Sequence, residues 1–236
     1  MNIEKGELHL WRYIVNECDY IAEMNYPVLS ITEQERHRRF SNKDDSIRYI
    51  CNHRFMHNVL ADYLNIDPCK IIFEVGPFGK PFIKEDIYFN LSYRNKYGLL
   101  ALSADDEVGV DIEQLIEIGD VLSFISLYFS EKEIEVILKA DYKNQIKNIF
   151  LFWTLKEALI KAQGKGLSTD LCKIDLVEGI QANSFIFKNE DEHLYSAKNI
   201  MAKNGYFAAI AIKGNISQYK EFGYEQIQSG QHLRPQ

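Results

Sequence analysis

The stretch that most constrains this chain is Glu107 to Glu113, Glu-Val-Gly-Val-Asp-Ile-Glu. Read as a strand, it sends Val108, Val110 and Ile112 to one side and Gly109, Asp111 and Glu113 to the other. One face asks for a core. The other holds two carboxylates about 7 Å apart on a rigid backbone, a spacing that suits a hard divalent cation with oxygen ligands. Gly109 beside them reads as room for a ligand. The competing reading is the exposed face of an antiparallel strand, where acidic residues need no special cause.

The rest of the chain can build a core around such a strand. Its 236 residues are 46% hydrophobic and 13% aromatic, enough for one large or two small domains without staples. Cys18, Cys51, Cys69 and Cys172 form no Cys-x-x-Cys pair, which argues against a disulfide framework and a zinc site. With no basic, then apolar, leader and no apolar run near 18 residues, the chain reads as soluble and cytoplasmic, with no membrane partner. A net charge of -7 speaks against nucleic acid as the main partner. The one basic cluster, Arg36-His37-Arg38-Arg39 with Lys43, serves either an anion or a solvated helix face.

Alternating residues 7 to 15 predict a strand. Thr32-x-x-Glu35 predicts a capping box for a short helix ending at Phe40, and Ser41 introduces a long helix to about Leu64. Its apolar stripe is Ile47, Ile50, Cys51, Phe55, Val59, Leu60 and Tyr63, and Arg48 lies off it, free for an anion. Ile71 to Val75 reads as a strand running into Gly76-Pro-Phe-Gly-Lys-Pro, a loop that displays Lys80 beside Pro81. Ile87 to Tyr93, Leu99 to Ser103 and the acidic strand then predict a three-stranded meander that brings Ser92 near Asp111.

Further on, Val121 to Phe129 reads as helical and Ser130-x-x-Glu133 caps a helix to about Ala140. A second long helix ends at Gly164. Strands are predicted at Cys172 to Val177, Ser184 to Phe187, Leu194 to Ala197 and Tyr206 to Ile212, before a polar tail from Gly214. The order of elements repeats. The resulting fold class is α/β (α+β), with two similar halves, 1–105 and 106–213, each a small antiparallel sheet against a long helix.

On the second long helix Ile146, Ile149, Phe150, Trp153 and Ile160 share a face, and Glu157 falls within it. A carboxylate there needs compensation. The choices are an intrahelical pair with Lys161, contributing about 0.3 to 0.5 kcal/mol, or a metal. Gly164-Lys165-Gly166-Leu167 follows, either as a simple helix stop or as a close approach to a ligand.

Gly79-Lys80-Pro81, Phe89-Asn90-Leu91-Ser92, Gly109-Val110-Asp111-Ile112-Glu113 and Trp153 to Lys161 occur in the order and spacing of known signatures. Over about Ser30 to Leu167 the chain resembles the surfactin-synthetase-activating type of 4′-phosphopantetheinyl transferase. The resemblance implies a pseudo-dimer of two halves, sufficient as a monomer, with coenzyme A in the cleft between them. It also implies transfer of phosphopantetheine to an apo acyl or peptidyl carrier, as in nonribosomal peptide or polyketide synthesis. By the same resemblance Asp111, Glu113 and Glu157 hold Mg²⁺, with Mn²⁺ as a substitute. Arg36, Arg48, Lys80, Pro81, Ser92, Tyr93 and Lys161 line the coenzyme A pocket. Asp111, Glu157 and Lys161 are the implied catalytic set, Glu157 or a water taking the serine proton. Tyr93 stands where the family usually has histidine and brings no positive charge near neutral pH. Two rival functions stay open, a non-catalytic coenzyme A or carrier binder and a metal-dependent phosphohydrolase.

Overall fold

The computed structural model describes residues 1–15, 28–166, 169–179, 183–200, 205–216 and 219–224. Cys18, Leu167 and residues 225–236 of the polar tail lie outside them.

The first half opens with β1 (Leu8–Ile14), followed by helix α1 (Ile31–His37) and the 22-residue α2 (Lys43–Leu64). The capping box of α1 is formed by Ser30 and Glu33, two residues ahead of the expected Thr32 and Glu35, because Glu33 is the carboxylate that turns inward. Asn42, not Ser41, caps α2, its side chain accepting from the Asp44 amide. The expected stripe of α2 is buried from Cys51 to Tyr63 against Trp11, Tyr13, Leu100 and Leu102. The strand expected at Ile71 to Val75 shortens to β2 (Glu74–Val75), paired with β3 (Pro81–Phe82).

A tight turn with Asn95 in the left-handed region (φ 51°) joins β4 (Tyr88–Arg94) to β5 (Tyr97–Ser103). The meander stops there. The acidic strand β6 (Val108–Gln114) leaves the hairpin and pairs with a strand of the second half instead of β5. The physical reason is its apolar face, which packs Val108, Val110 and Ile112 against Leu8, Leu10, Leu99 and Ala101 as an inter-sheet core.

The second half continues with α3 (Val121–Tyr128), α4 (Glu131–Lys139), the 22-residue α5 (Tyr142–Gln163), β7 (Phe185–Lys188), β8 (Leu194–Ile200) and β9 (Tyr206–Lys213). The Ser130–Glu133 capping box forms as expected, and Gly164 ends α5 in the left-handed region (φ 66°). Leu171–Lys173 and Val177–Gly179 are single 3₁₀ turns, not the expected strand, with the Asp170 side chain bonded to the Cys172 amide. The segment after Gly214 adds a strand, β10 (Lys220–Tyr224), parallel to β1, with Phe222 stacked on Trp11.

Two four-stranded sheets result, in the orders β10-β1-β5-β4 and β6-β9-β8-β7. In each, the strand before the long helix pairs antiparallel with the second strand of a hairpin formed after it. The duplication reaches into detail. Glu33 and Glu133 each cap a short helix and then bind the long one, through His57 (2.9 Å) and Lys156 (2.6 Å) at equivalent depth. Asp67-Pro-Cys-Lys-Ile in the first half answers Asp170-Leu-Cys-Lys-Ile in the second. Among the described residues no helix is long and apolar enough to cross a membrane.

Candidate active site

Gly109 decides how the site is assembled. A Cβ at that position would be driven into the Ala158 carbonyl oxygen and the Ala162 amide nitrogen of α5, and to 3.0 Å from the Lys161 carbonyl carbon. The glycine therefore admits the helix backbone, not a ligand as its place beside the carboxylates suggests. This contact sets Lys161 and Glu157 over Asp111 and Glu113. Gly109→Ala should lower stability by about 1–3 kcal/mol through overpacking, read as a falling urea midpoint. Gly119→Ala, where the space is open, should leave that midpoint in place.

Asp111 is buried, and its Oδ1 receives the Lys161 ammonium at 2.6 Å and the Ser92 hydroxyl at 3.2 Å. Lys161 also donates to Ser92 Oγ (3.1 Å) and the Val110 carbonyl (3.2 Å). Lys161 is thus held by Asp111 instead of pairing along its own helix with Glu157. The other oxygen, Asp111 Oδ2, is buried with no hydrogen-bond partner among the described residues. Such an orphan acceptor is unusual in a folded core and marks a place for a ligand.

Glu157 is partly buried, and burial, then the nearby Asp111 charge, pushes its carboxyl above the usual range. Glu113 is shifted the same way by burial and then by Asp111, against the pull of Arg94, whose Nε lies 3.4 Å away. Three carboxylates from two elements therefore feel one another. As the side chains stand, no three Asp, Glu, His or Cys residues among those described form a ready metal cage. The donor set still fits a hard divalent ion: oxygen only, mutually repelling and with one buried oxygen unspent.

The fully buried charge of α5 is Lys156, not Glu157. It reaches Glu133 (2.6 Å), the Leu171 carbonyl (2.8 Å) and the Tyr128 carbonyl (3.0 Å) on the side away from Asp111. Helical projection missed it because α5 is buried nearly all round beyond Ile149, so no single stripe describes it.

The seam between the halves is closed by side chains instead of a strand ladder. Asn90 Oδ1 accepts from the Val110 amide (2.9 Å) and Lys80 donates to the Val108 carbonyl (2.9 Å). Lys80 also pairs with Glu107, so it is turned inward and not simply displayed by its loop, and burial lowers its pKa. Pro81 pairs with Val75 in the adjoining ribbon. Lys165 is taken by Asp191 at 2.8 Å, which leaves the Gly164–Gly166 turn as a helix stop packed near Phe78.

Arg36 and Arg48 both lie near enough to act on Tyr93, the residue after Ser92. Arg36 lies over the Tyr49 ring (5.7 Å), and Arg48 is paired with Asp45 instead of free. Burial raises the Tyr93 pKa, against the pull of Arg36. Two cations thus stand near Tyr93, the kind of charge a polyphosphate would meet. Sequence reading missed Asn90 as a seam bond, Arg94 on Glu113 and the Glu133–Lys156 pair. The last was hinted at by the matching Ser-x-x-Glu boxes at Ser30 and Ser130.

Residues 107–211 match the family model of the 4′-phosphopantetheinyl transferase superfamily. The chain is 26% identical over 229 residues to the 4′-phosphopantetheinyl transferase HetI of Nostoc sp., covering 95% of each chain. It is 32% identical over 155 residues to the 4′-phosphopantetheinyl transferase gsp of Aneurinibacillus migulanus (65% of this chain, 64% of that one). To the transferase Sfp of Bacillus subtilis it is 30% identical over 145 residues (61% and 63%). The matched residues include the carboxylates of β6 and α5 and the glycine that joins those elements, and it is over this stretch that the chain matches the 4′-phosphopantetheinyl transferase superfamily.

Proposed function

We propose that this chain transfers the 4′-phosphopantetheine group of coenzyme A to a serine of an apo acyl or peptidyl carrier, releasing 3′,5′-ADP. The observation that carries the reading is the meeting of Asp111 and Glu113 with Glu157 and Lys161, around a buried carboxylate oxygen that has no partner. The names of the relatives agree with it.

In this reading Asp111, Glu113 and Glu157 would hold Mg²⁺, or Mn²⁺ in its place. When bound, the ion would supply charge neutralisation at the pyrophosphate of coenzyme A and at the 5′-phosphate of the departing 3′,5′-ADP. Lys161, fixed by Asp111 and Ser92, presents a permanent cation to the same phosphates. Arg36 and Arg48 near Tyr93 would meet the nucleotide phosphates, with Lys80 and Pro81 lining the same pocket and the Tyr93 hydroxyl donating one hydrogen bond. Glu157, its carboxyl pushed above the usual range by burial, would accept the serine proton as the serine oxygen bonds to phosphorus and the pyrophosphate P–O bond breaks. The inter-sheet core and the duplicated halves support a monomer as the working unit. The acidic net charge supports a protein that does not engage nucleic acid, and the lack of a membrane-length apolar helix among the described residues supports a soluble, cytoplasmic one.

The test is incubation with coenzyme A, Mg²⁺ and an apo carrier domain, followed by intact mass of the carrier. Gain of one phosphopantetheine is expected, and should be lost with EDTA. Tight coenzyme A binding without gain would instead indicate a binding protein. Free phosphopantetheine with an unmodified carrier would indicate a phosphohydrolase.

A further inference from the structure

Strand β4 directs three alternate side chains at β6. Asn90 accepts from the Val110 amide, Ser92 donates to Asp111, and Arg94 brings its Nε to 3.4 Å from Glu113 Oε2. The first two close the seam between the halves. The third does something different: it places a permanent, half-exposed cation on one of three carboxylates that already crowd one another.

The three carboxylates are consequently unequal. Asp111 keeps a buried, unpartnered oxygen, and Glu157 has no ion pair among the described residues. A divalent ion entering between them meets Glu113 already engaged. We propose that Arg94 is a positioning residue that holds Glu113 back, so that the cation shell rests first on Asp111 and Glu157 and Glu113 joins only by displacing the guanidinium. This rests on the cation site proposed above. A guanidinium on a carboxylate is a directional, charge-assisted contact. At this exposure it is weak enough for a divalent ion to compete with it. Its charge also repels that ion from a few ångströms away, within the Debye length. Both effects act in one direction, so removing Arg94 should tighten cation binding.

The experiment titrates Mn²⁺ into the full chain with saturating coenzyme A and no carrier, following the free-ion EPR signal, so that turnover plays no part. Arg94→Gln should bind Mn²⁺ about two- to fivefold more tightly than the unaltered protein, the scale of a half-exposed ion pair. Arg94→Lys should fall between them. Glu113→Gln should weaken binding by a larger factor in the Arg94→Gln background than alone, because only there is Glu113 a full ligand. Unchanged or weaker binding by Arg94→Gln, or the same factor for Glu113→Gln in both backgrounds, would overturn the inference while leaving the cation site standing. If the unaltered protein binds no Mn²⁺ at all, the cation site falls and this inference with it.

Discussion

Glu157→Gln should reduce carrier modification by about 10²–10⁴-fold, the range for loss of a positioned general base, without lowering the melting temperature. The two halves of that expectation come from the same geometry. Glu157 is partly buried beside Asp111, and its folded-state carboxyl is raised by burial and by that neighbouring charge, so its ionised form works against the fold. Glutamine keeps the shape and removes the charge. Proton acceptance is lost, and with it one ligand oxygen's charge toward a divalent ion, while the repulsion from Asp111 is relieved. Intact-mass kinetics under single-turnover conditions, set beside a thermal melt, give the readout. A mutant that is fully active would remove Glu157 from the chemistry. A mutant that is inactive only because it melts early would make Glu157 a structural residue.

The sequence made the site more legible than the frame that carries it. Side-chain alternation in Glu107–Glu113 and the apolar stripe around Glu157 are local signals, and both elements formed where expected. Alternation also placed Ser92 by Asp111, although the reason given for their proximity, a shared meander, does not hold. Which strand pairs with which depends on long-range burial. β6 joins β9 because its valines find Leu8, Leu10 and Leu99 across the seam, and no local pattern announces that choice. Gly109 shows the same limit from the other side. A glycine next to two carboxylates suggests ligand space, and only the approach of α5 reveals that a helix backbone occupies it. Caps slipped by one or two residues where several Ser, Thr and Asn side chains compete, as at Ser30 against Thr32 and Asn42 against Ser41. The strand returned by the tail, β10, had too short a signal to register beside the polar residues that flank it.

Lys156→Met is expected to be the most damaging single change to stability, by about 3–5 kcal/mol, as for a buried pair that loses one partner. Lys156 and Glu133 are both 0% exposed, and the ammonium serves three acceptors: Glu133, the Leu171 carbonyl and the Tyr128 carbonyl. Burial alone pulls the lysine pKa down and pushes the glutamate up, so each group is kept charged chiefly by the other. Methionine fills the space and leaves Glu133 without its cation, with only the Ser130 and Leu176 amides among the described residues to satisfy it. Adding Glu133→Gln to Lys156→Met should recover part of the loss, since glutamine can still accept from the Ser130 amide but carries no charge to strand. Urea midpoints of the four proteins, at constant slope, measure the coupling. Strict additivity of the two single changes would show that the pair contributes nothing as a pair. The activity pattern should be opposite to that of Glu157→Gln. Lys156 faces away from Asp111, so the folded fraction of Lys156→Met should retain turnover when assayed in a stabilising osmolyte, whereas Glu157→Gln should stay inactive there.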